Sequence, residues 1–466
     1  MKSLYCSLIT LIFAILFISF SWPVQAQSHH KFLQCLFSLH SNDSFPISYV
    51  IYLQTNNSYS SILESSIQNL RFSINGTAKP FVIVTPLHAS HIQATIRCSK
   101  RHGLQIRTRS GGHDMEGLSY VADASFVVID LVNLKSVDVD VKSRTAWVES
   151  GATVGELQYR IAEKSGTLDF PTCTCHTVGK YGLAADNIVD ARLINVNGEI
   201  LDRKSMGEDF FGIVFYWKLK LVHVPSTVTV FTVTKAPQQN ATQVVHRWQY
   251  IAPKLSDDTF ILATISRAEA SEGQRSIQFP ELGLLKQDCI EMSWIRFVVY
   301  FAQFTTEPTE ILLDRTASMK SYFKVKSDYV KEPIPEFVFK GMGPMFDEYE
   351  GRFAYMNLVP YGARMDEILE TETPFPHRAG NIYSIMYATG QDEEITHFEK
   401  YINWMRRLHR YMTSFVSKSP REAYVNYRDL DIGVNDKDKT NYEQSSIWEL
   451  VKVKSLIDPH NFFKHQ

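Results

Sequence analysis

The strongest constraint on the fold is an alternation of apolar strands and an amphipathic helix that begins at Phe81. The run FVIVTP is short, apolar and closed by proline, which predicts a buried strand. HASHIQATIRCSKRHG follows with apolar residues at helical spacing and ends at Gly103, a typical helix C-cap. LQIRTRS and SFVVIDLVNL then predict two further strands. This part of the chain therefore mixes α and β structure.

The same kind of pattern continues towards the C-terminus. VDVDVKSRTAWVES predicts a hairpin, and Gly151 opens a predicted helix, ATVGELQYRIAEKSG. TVTVFTVTK predicts a strand, and LLKQDCIEMSWIRFVVYFAQF predicts an amphipathic helix. No internal repeat or low-complexity linker separates these segments. We therefore expect domains that share the chain, in contrast to independent domains joined by linkers.

The N-terminal segment predicts export. Lys2 precedes an apolar run, and Val24-Gln25-Ala26 forms a small-residue cleavage site, so residues 1–26 are predicted to be a signal peptide. An uncleaved anchor is the alternative, and no second apolar run is long enough to span a bilayer. The net charge of −2 argues against a nucleic-acid-binding protein. Four glycosylation sequons agree with the secretory route; their asparagines are Asn42, Asn56, Asn75 and Asn240.

Cysteine usage raises a question about the stretch FPTCTCHTVG. Cleavage of the signal peptide leaves an odd number of cysteines, so at least one is unpaired or otherwise used. Cys173, Cys175 and His176 lie within four residues of the sequence. A zinc site requires a second pair of ligands at a recognisable spacing, and no such pair follows. We therefore predict no metal. A strained Cys-x-Cys disulfide, a covalent bond to a cofactor and a free thiol stay open as alternatives.

Two further motifs are candidates for chemistry. In RSGGHD, which spans residues 109–114, two glycines let backbone N–H groups approach an anion such as a pyrophosphate. A tight turn carrying a surface histidine is the alternative interpretation. Tyr424 and Tyr427, in EAYVNYRDLD, are candidate phenol acid–base groups, although tyrosines of this kind more often pack against a strand. Neither a GxGxxG fingerprint after a strand nor a GxSxG or HExxH motif occurs.

Seven longer segments are specific enough to be compared with a known family. They are RTRSGGHDMEGLSYV, WVESGATVGELQYRIAEKSGTLDFP, CHTVG, KYGLAADNIVDARLINVNGEILDR, PFPHRAGNIY, YVNYRDLDIG and DPHNFF. Together they resemble plant berberine bridge enzyme-like flavoproteins, which belong to the vanillyl-alcohol-oxidase group. The resemblance runs from about Cys35 to Phe463.

The resemblance implies an α+β fold with three parts. A PCMH-type FAD-binding domain of two subdomains would occupy residues 76–227, preceded by its N-terminal part at 27–75. An α/β substrate domain, with an antiparallel sheet covered by helices, would occupy residues 228–405. A C-terminal berberine-bridge-enzyme-like segment, residues 406–466, would return to the flavin domain.

The resemblance also assigns cofactor and site residues. It implies FAD bound covalently twice, through His113 and Cys175, and Tyr427 as the base that takes the substrate's hydroxyl proton. It pairs Cys35 with Cys98 in a disulfide and leaves Cys173, where the family has glycine, without a defined role. Cys289 is likewise unassigned. Further cofactor contacts would come from Arg109, Ser110, Gly111, Gly112, Asp114, Asn187 and Asn426.

The chain also departs from the family pattern. Glycine-rich segments of the family are missing between residues 179 and 180 and again near residues 211–212. Met115 replaces a family tyrosine, and Met386 replaces a polar residue of the substrate domain.

Two hypotheses follow. One is an active, secreted oxidase or dehydrogenase that acts as a monomer on an alcohol, sugar or specialised metabolite, with O2 or another electron acceptor. The other is an inactive or unstable glycoprotein. Either would be extracellular, in the cell wall or in the vacuole.

Overall fold

The computed structural model describes most of the chain that follows the predicted signal peptide. The described residues are 27–39, 45–74, 76–122, 124–172, 180–206, 211–256, 258–267, 283–316, 320–362, 364–373, 375–391, 398–418, 421–427, 429–432, 453–460 and 462–463.

The first layer is a four-stranded sheet whose strands lie in the order β1-β2-β4-β3. Strands β2, β4 and β3 are parallel, and β1 pairs antiparallel with β2. Apolar side chains fill both faces of this sheet, as parallel strands require: Val127 and Ile129 face α3, and Phe126 and Val128 face α2. The elements are β1 (Ile51–Leu53), β2 (Val82–Val84), β3 (Gln105–Arg109), β4 (Phe126–Asp130), α1 (27–39), α2 (Tyr59–Ser66) and α3 (Ala89–His102).

The second layer is an antiparallel sheet with the strand order β5-β6-β10-β8-β9. Helix α4 packs on it and begins at a capping box, in which the Thr153 hydroxyl accepts from Glu156 N and the Glu156 carboxylate accepts from Thr153 N. The elements are β5 (Val137–Asp140), β6 (Thr145–Glu149), α4 (Val154–Lys164), β7 (Leu168–Asp169), β8 (Ile188–Ile194), β9 (Ile200–Asp202), α5 (Arg203–Met206), β10 (Ile213–Lys220) and β11 (Val222–His223).

The third layer is an antiparallel sheet with the order β13-β16-β17-β15. Helices cover one face, where Trp248, Val338 and Trp404 pack against Tyr383 and Tyr387 in the largest core. The elements are β12 (Thr227–Val230), α6 (Ala241–Ile251), β13 (Ala263–Ser266), β14 (Ile290–Ser293), α7 (Trp294–Phe301), β15 (Tyr322–Val330), α8 (Glu336–Asp347), β16 (Ala354–Pro360), α9 (Arg364–Glu367), β17 (Tyr383–Gln391) and α10 (Phe398–Met412). The α+β architecture, with its helix-covered antiparallel sheet, is the one expected.

The sequence prediction was wrong in one long segment. Residues 284–304 were expected to form a single amphipathic helix, but Ile290–Ser293 form strand β14, which pairs with β12. The helix begins only at Trp294 and is capped by the Ser293 hydroxyl. A partner strand about sixty residues earlier in the chain makes this segment a strand. The helical periodicity of the segment contains no information about such a partner.

The N-terminal disulfide is confirmed. Cys35 and Cys98 are bonded, with their Cα atoms 5.8 Å apart, and the bond joins α1 to α3. Cys289 is a free, half-buried cysteine. Within the described ranges, none of the helices combines the length and the apolar character that crossing a membrane requires.

Candidate active site

The loop that follows β3 is held in place by its flanks. Arg109 closes the strand with an ion pair to Asp130, whose Oδ2 lies 2.8 Å from the Arg109 Nη1 at the end of the adjacent parallel strand β4. The Ser110 hydroxyl donates to the carbonyl of Ser150. Asp114 Oδ1 accepts from the backbone N–H groups of residues 116 and 118, at 3.0 and 2.8 Å. The loop is therefore shaped by its own polar groups.

Three successive backbone donors of this loop are available. The N–H groups of Gly111, Gly112 and His113 donate no hydrogen bond to any of the residues that the structure describes. Gly112 has a φ of +75°, a left-handed conformation that favours glycine, and a Cβ there would press on the Arg109 side chain at 3.1 Å from Nε. Consecutive free N–H groups at a left-handed residue form a concavity suited to an anion. The loop thus fits the pyrophosphate of a dinucleotide such as FAD.

His113 lies at the bottom of this loop and faces another part of the chain. Its ring is 6.5 Å from the ring of Tyr427, centroid to centroid, with the planes 25° apart. The residue is exposed, yet the surrounding protein desolvates the imidazole and lowers its pKa, with Asp114 partly opposing this effect. The imidazole is therefore favoured in its neutral form. A neutral nitrogen is the form that could bond covalently to a cofactor.

The segment that carries Tyr427 returns from the end of α10 and docks on β15. Tyr424 N donates to the Ser327 hydroxyl at 2.8 Å, and Tyr427 N donates to the Tyr424 carbonyl at 2.9 Å. The Tyr424 and Tyr427 rings meet edge to face at 5.1 Å. Asn426 is exposed, and its amide donates to the Tyr424 hydroxyl at 2.8 Å. This places Tyr427 where the first sheet meets the third.

Asn187 has a local structural role in the turn that precedes β8. Its amide nitrogen donates to the carbonyls of Tyr181 and Leu183, at 2.9 and 3.1 Å, and the residue is buried. These bonds fix the turn of KYGLAADN. Contact between Asn187 and a cofactor stays a prediction. Cys173 and Cys175 lie outside the described residues, and so does the loop of residues 173–179.

A buried ion pair ties this turn to the third layer. Arg378 is fully buried, and its two Nη atoms lie 2.6 and 2.8 Å from the two carboxylate oxygens of Asp186. Arg378 also donates to the Thr373 hydroxyl at 2.7 Å. A bidentate pair of this kind fixes geometry as well as charge. The segment PFPHRAGN is thereby attached to the turn that precedes β8.

The face of the third sheet that is opposite the helices carries Met386 at its centre. Met386 is in register with Ser327 on β15 and with Asn357 on β16. The Thr264 hydroxyl donates to Asn357 Oδ1 at 2.8 Å. Tyr355 is exposed on the same face. The surrounding protein nevertheless desolvates its phenol and raises the pKa of that group. This face combines hydroxyl and amide groups with a central apolar side chain.

Sequence reasoning missed a buried charge cluster on the other face of β15 from Ser327. Lys324 and Lys326 alternate along β15 and meet Glu116, Asp429 and Asp431. Burial raises the pKa of Glu116, although Lys324 opposes it. Burial also acts to raise the pKa of Asp429, but the two lysines outweigh it and hold that pKa below its usual range. The only sequence signal was two lysines in the otherwise strand-like run FKVKSDYV.

The predicted glycosylation sites are partly accessible. Asn56 and Asn240 are exposed, whereas Asn42 and Asn75 lie outside the described residues. Among the described residues, no group of three His, Cys, Asp or Glu side chains could hold a metal ion.

The comparisons with known proteins identify the family. The family model "FAD binding domain" matches residues 80–203, and the model "Berberine and berberine like" matches residues 423–466. Tetrahydroberberine oxidase from Berberis wilsoniae is 43% identical and covers 94% of this chain and 93% of its own length. That alignment extends over 497 residues, more than the 466 of this chain, so the relative has segments without a counterpart here.

Solved structures agree with this assignment. BBE-like #28 from Arabidopsis thaliana superposes with a TM-score of 0.85 at 41% identity, over 93% of this chain and 98% of that one. Phl p 4, a grass pollen allergen with glucose dehydrogenase activity, superposes with a TM-score of 0.86 at 35% identity, with the same coverage. The chain belongs to the berberine bridge enzyme-like family of FAD-linked oxidoreductases.

Proposed function

We propose that this protein is a secreted oxidoreductase that oxidises an alcohol, a sugar or a specialised metabolite, with O2 as the electron acceptor. The observation that carries the proposal is the meeting of His113 and Tyr427. One residue comes from the anion-binding loop of the flavin domain, and the other comes from the C-terminal segment. The family supplies FAD as the cofactor. The predicted signal peptide and the two exposed sequons support secretion.

The residues of this chain would divide the work as follows. The N–H groups of Gly111, Gly112 and His113 hold the anionic pyrophosphate. The neutral imidazole of His113 forms one covalent attachment, and the Cys175 thiol forms the second. FAD, when bound, supplies the electron sink that accepts hydride from the substrate. Tyr427 Oη takes the hydroxyl proton of the substrate as its C–H bond is broken, because a phenolate is a competent base once it is correctly placed.

The face around Met386 would receive the substrate. Asn357 and Thr264 offer amide and hydroxyl groups for hydrogen bonds, and Met386 offers an adaptable apolar contact. Ser327 is buried beneath Tyr424 N, which donates to its hydroxyl. Tetrahydroberberine oxidase acts, by its name, on an alkaloid, and Phl p 4 has glucose dehydrogenase activity. The central methionine, which is half-buried, favours a substrate with an apolar ring over a bare sugar, because a thioether cannot replace a lost hydrogen bond to a hydroxyl.

A second candidate function is a non-catalytic glycoprotein. The shorter chain favours it, since the missing glycine-rich segments would contact FAD in the family. Gly212 lies where one segment is missing, and a Cβ there would be 2.4 Å from the Ile194 carbonyl oxygen. The backbone is therefore closed tightly at this junction. Under this second proposal the fold persists without holding the cofactor.

Covalent flavin separates the two candidates. The mature chain, residues 27–466, is secreted from a eukaryotic host and precipitated with acid beside a His113→Ala, Cys175→Ala double variant. We expect flavin absorbance to remain with the wild-type protein and to be lost from the double variant. Folded wild-type protein without flavin would contradict the oxidoreductase proposal and favour the glycoprotein. If flavin is retained, peroxide release from alkaloid, phenolic alcohol and sugar panels then tests the substrate class.

A further inference from the structure

Strand β15 places a buried ammonium group between two distant parts of the chain. Lys324 donates to the Glu116 carboxylate, and its Nζ is 2.7 Å from Asp429 Oδ1. The side chains of Lys324, Glu116 and Asp429 are 1%, 2% and 3% exposed. Buried charges of this kind require a partner, because desolvation of a lone carboxylate is costly. The lysine is thus the shared counter-ion of both carboxylates.

The two carboxylates belong to the two halves of the candidate active site. Glu116 lies three residues after His113, in the loop that Asp114 shapes. Asp429 lies two residues after Tyr427. The chain connections therefore make Lys324 a bridge between the segments that carry His113 and Tyr427. The third sheet, to which neither segment belongs, supplies the bridging group.

Lys326 provides the natural comparison, because it is the same residue type on the same face of the same strand. It donates to Asp429, and its Nζ lies 2.8 Å from Asp431 Oδ2, so both of its carboxylate partners lie in the C-terminal segment. Further cations flank the cluster. Arg71 lies 3.5 Å from Glu116 Oε2, and Arg406 lies 2.6 Å from Asp431 Oδ1.

We propose that Lys324 is a positioning residue that holds the His113 loop against the Tyr427 segment by bridging Glu116 and Asp429. The proposal rests on the roles given above to His113 and Tyr427. Without Lys324, Asp429 keeps Lys326 as a partner, whereas Glu116 keeps, among the described residues, only the longer contact with Arg71. The His113 loop is therefore the side that loosens, and the fixed separation of the two rings is lost with it.

Hydrogen–deuterium exchange of the secreted full-length mature chain tests the bridge directly. Lys324→Met should speed exchange in residues 110–118, at the hydrogen-bonded amides of residues 116 and 118, roughly ten- to a hundredfold. This is the effect expected when a charged hydrogen bond that holds a loop is lost. Lys326→Met should speed exchange in residues 421–432 and leave residues 110–118 at the wild-type rate. Lys324→Arg, which keeps a cation able to bridge two carboxylates, should restore slow exchange.

Two outcomes would overturn the proposal. One is wild-type exchange in residues 110–118 of Lys324→Met, and the other is an equal increase there in Lys324→Met and Lys326→Met. If Lys324→Met is not secreted, Glu116→Gln is compared with Asp431→Asn. Only Glu116→Gln should then loosen the His113 loop, and the opposite result would refute the bridge.

Flavin retention gives an independent readout. A general loss of packing would lower it equally in the Lys324 and Lys326 variants. After acid precipitation, Lys324→Met should retain several-fold less flavin than Lys326→Met, and Lys324→Arg should recover it. Equal retention in all three variants would contradict the positioning role. If the wild-type protein carries no flavin, the proposed oxidoreductase function fails while the exchange comparison still decides the fate of the bridge.

Discussion

Asp169 should make the stability of this protein depend on pH in an unusual direction. It ends β7 and is buried where α4 meets α7. Its Oδ2 accepts from Trp294 Nε1 at 2.6 Å and from Gln158 Nε2 at 3.1 Å, and its Oδ1 accepts from Phe170 N at 2.8 Å. These partners, all within the described ranges, are neutral donors. Burial therefore prevails over the hydrogen bonds and raises the pKa of Asp169 from 3.8 to about 6.

The sign and size of the effect follow from this shift. The folded protein holds the Asp169 proton more tightly than the unfolded chain does. Its contribution to stability is therefore fully present below about pH 4 and is lost as the pH rises through about 6. A shift of this size corresponds to about 3 kcal/mol of unfolding free energy, because each pKa unit is worth about 1.4 kcal/mol.

Asp169→Asn removes this titration and isolates its contribution. Urea unfolding, followed by tryptophan fluorescence, is measured for both proteins across this pH range. We expect the wild-type protein to lose about 2–3 kcal/mol relative to the variant between pH 4 and pH 7, whatever the constant offset between them. Asp138→Asn, which removes an exposed carboxylate on β5, should run parallel to the wild type. Parallel curves for Asp169→Asn would refute the reasoning.

Three further predictions concern single contacts. Arg378→Met should lower the unfolding free energy by about 3–5 kcal/mol in urea, because Asp186 stays buried without its cation; a loss below about 1 kcal/mol would contradict this. Replacing both disulfide cysteines by serine should cost about 4 kcal/mol, since the bond closes a separation of 63 residues; equal midpoints with and without reductant would argue otherwise. Gly151→Ala should abolish secretion, because its Cβ would lie 1.7 Å from the Leu131 carbonyl oxygen, whereas Gly166→Ala, with open space around its Cβ, should be secreted normally.

Much of the first two layers could be predicted from the sequence. The strands at Val82–Val84, Gln105–Arg109 and Phe126–Asp130 and the helix ending at Gly103 lie where local patterns placed them. These elements depend on periodicity, caps and turn residues that act within a few positions of the chain. The predicted helix at Gly151 begins slightly later, at Val154, because Thr153 provides the cap. The family resemblance located the RSGGHD loop and Tyr427 and paired the cysteines correctly.

The sequence by itself thus determined the α+β class, the family and the disulfide, and it predicted the candidate catalytic groups. Only the tertiary structure decided that Ile290–Ser293 form a strand, because their partner is β12. It alone also decided that Lys324 and Lys326 are buried. Lysine on a strand normally marks a solvated face, and these two are buried because carboxylates brought from distant segments neutralise them. Charge compensation across such sequence distances leaves no local pattern, so only the folded chain reveals it.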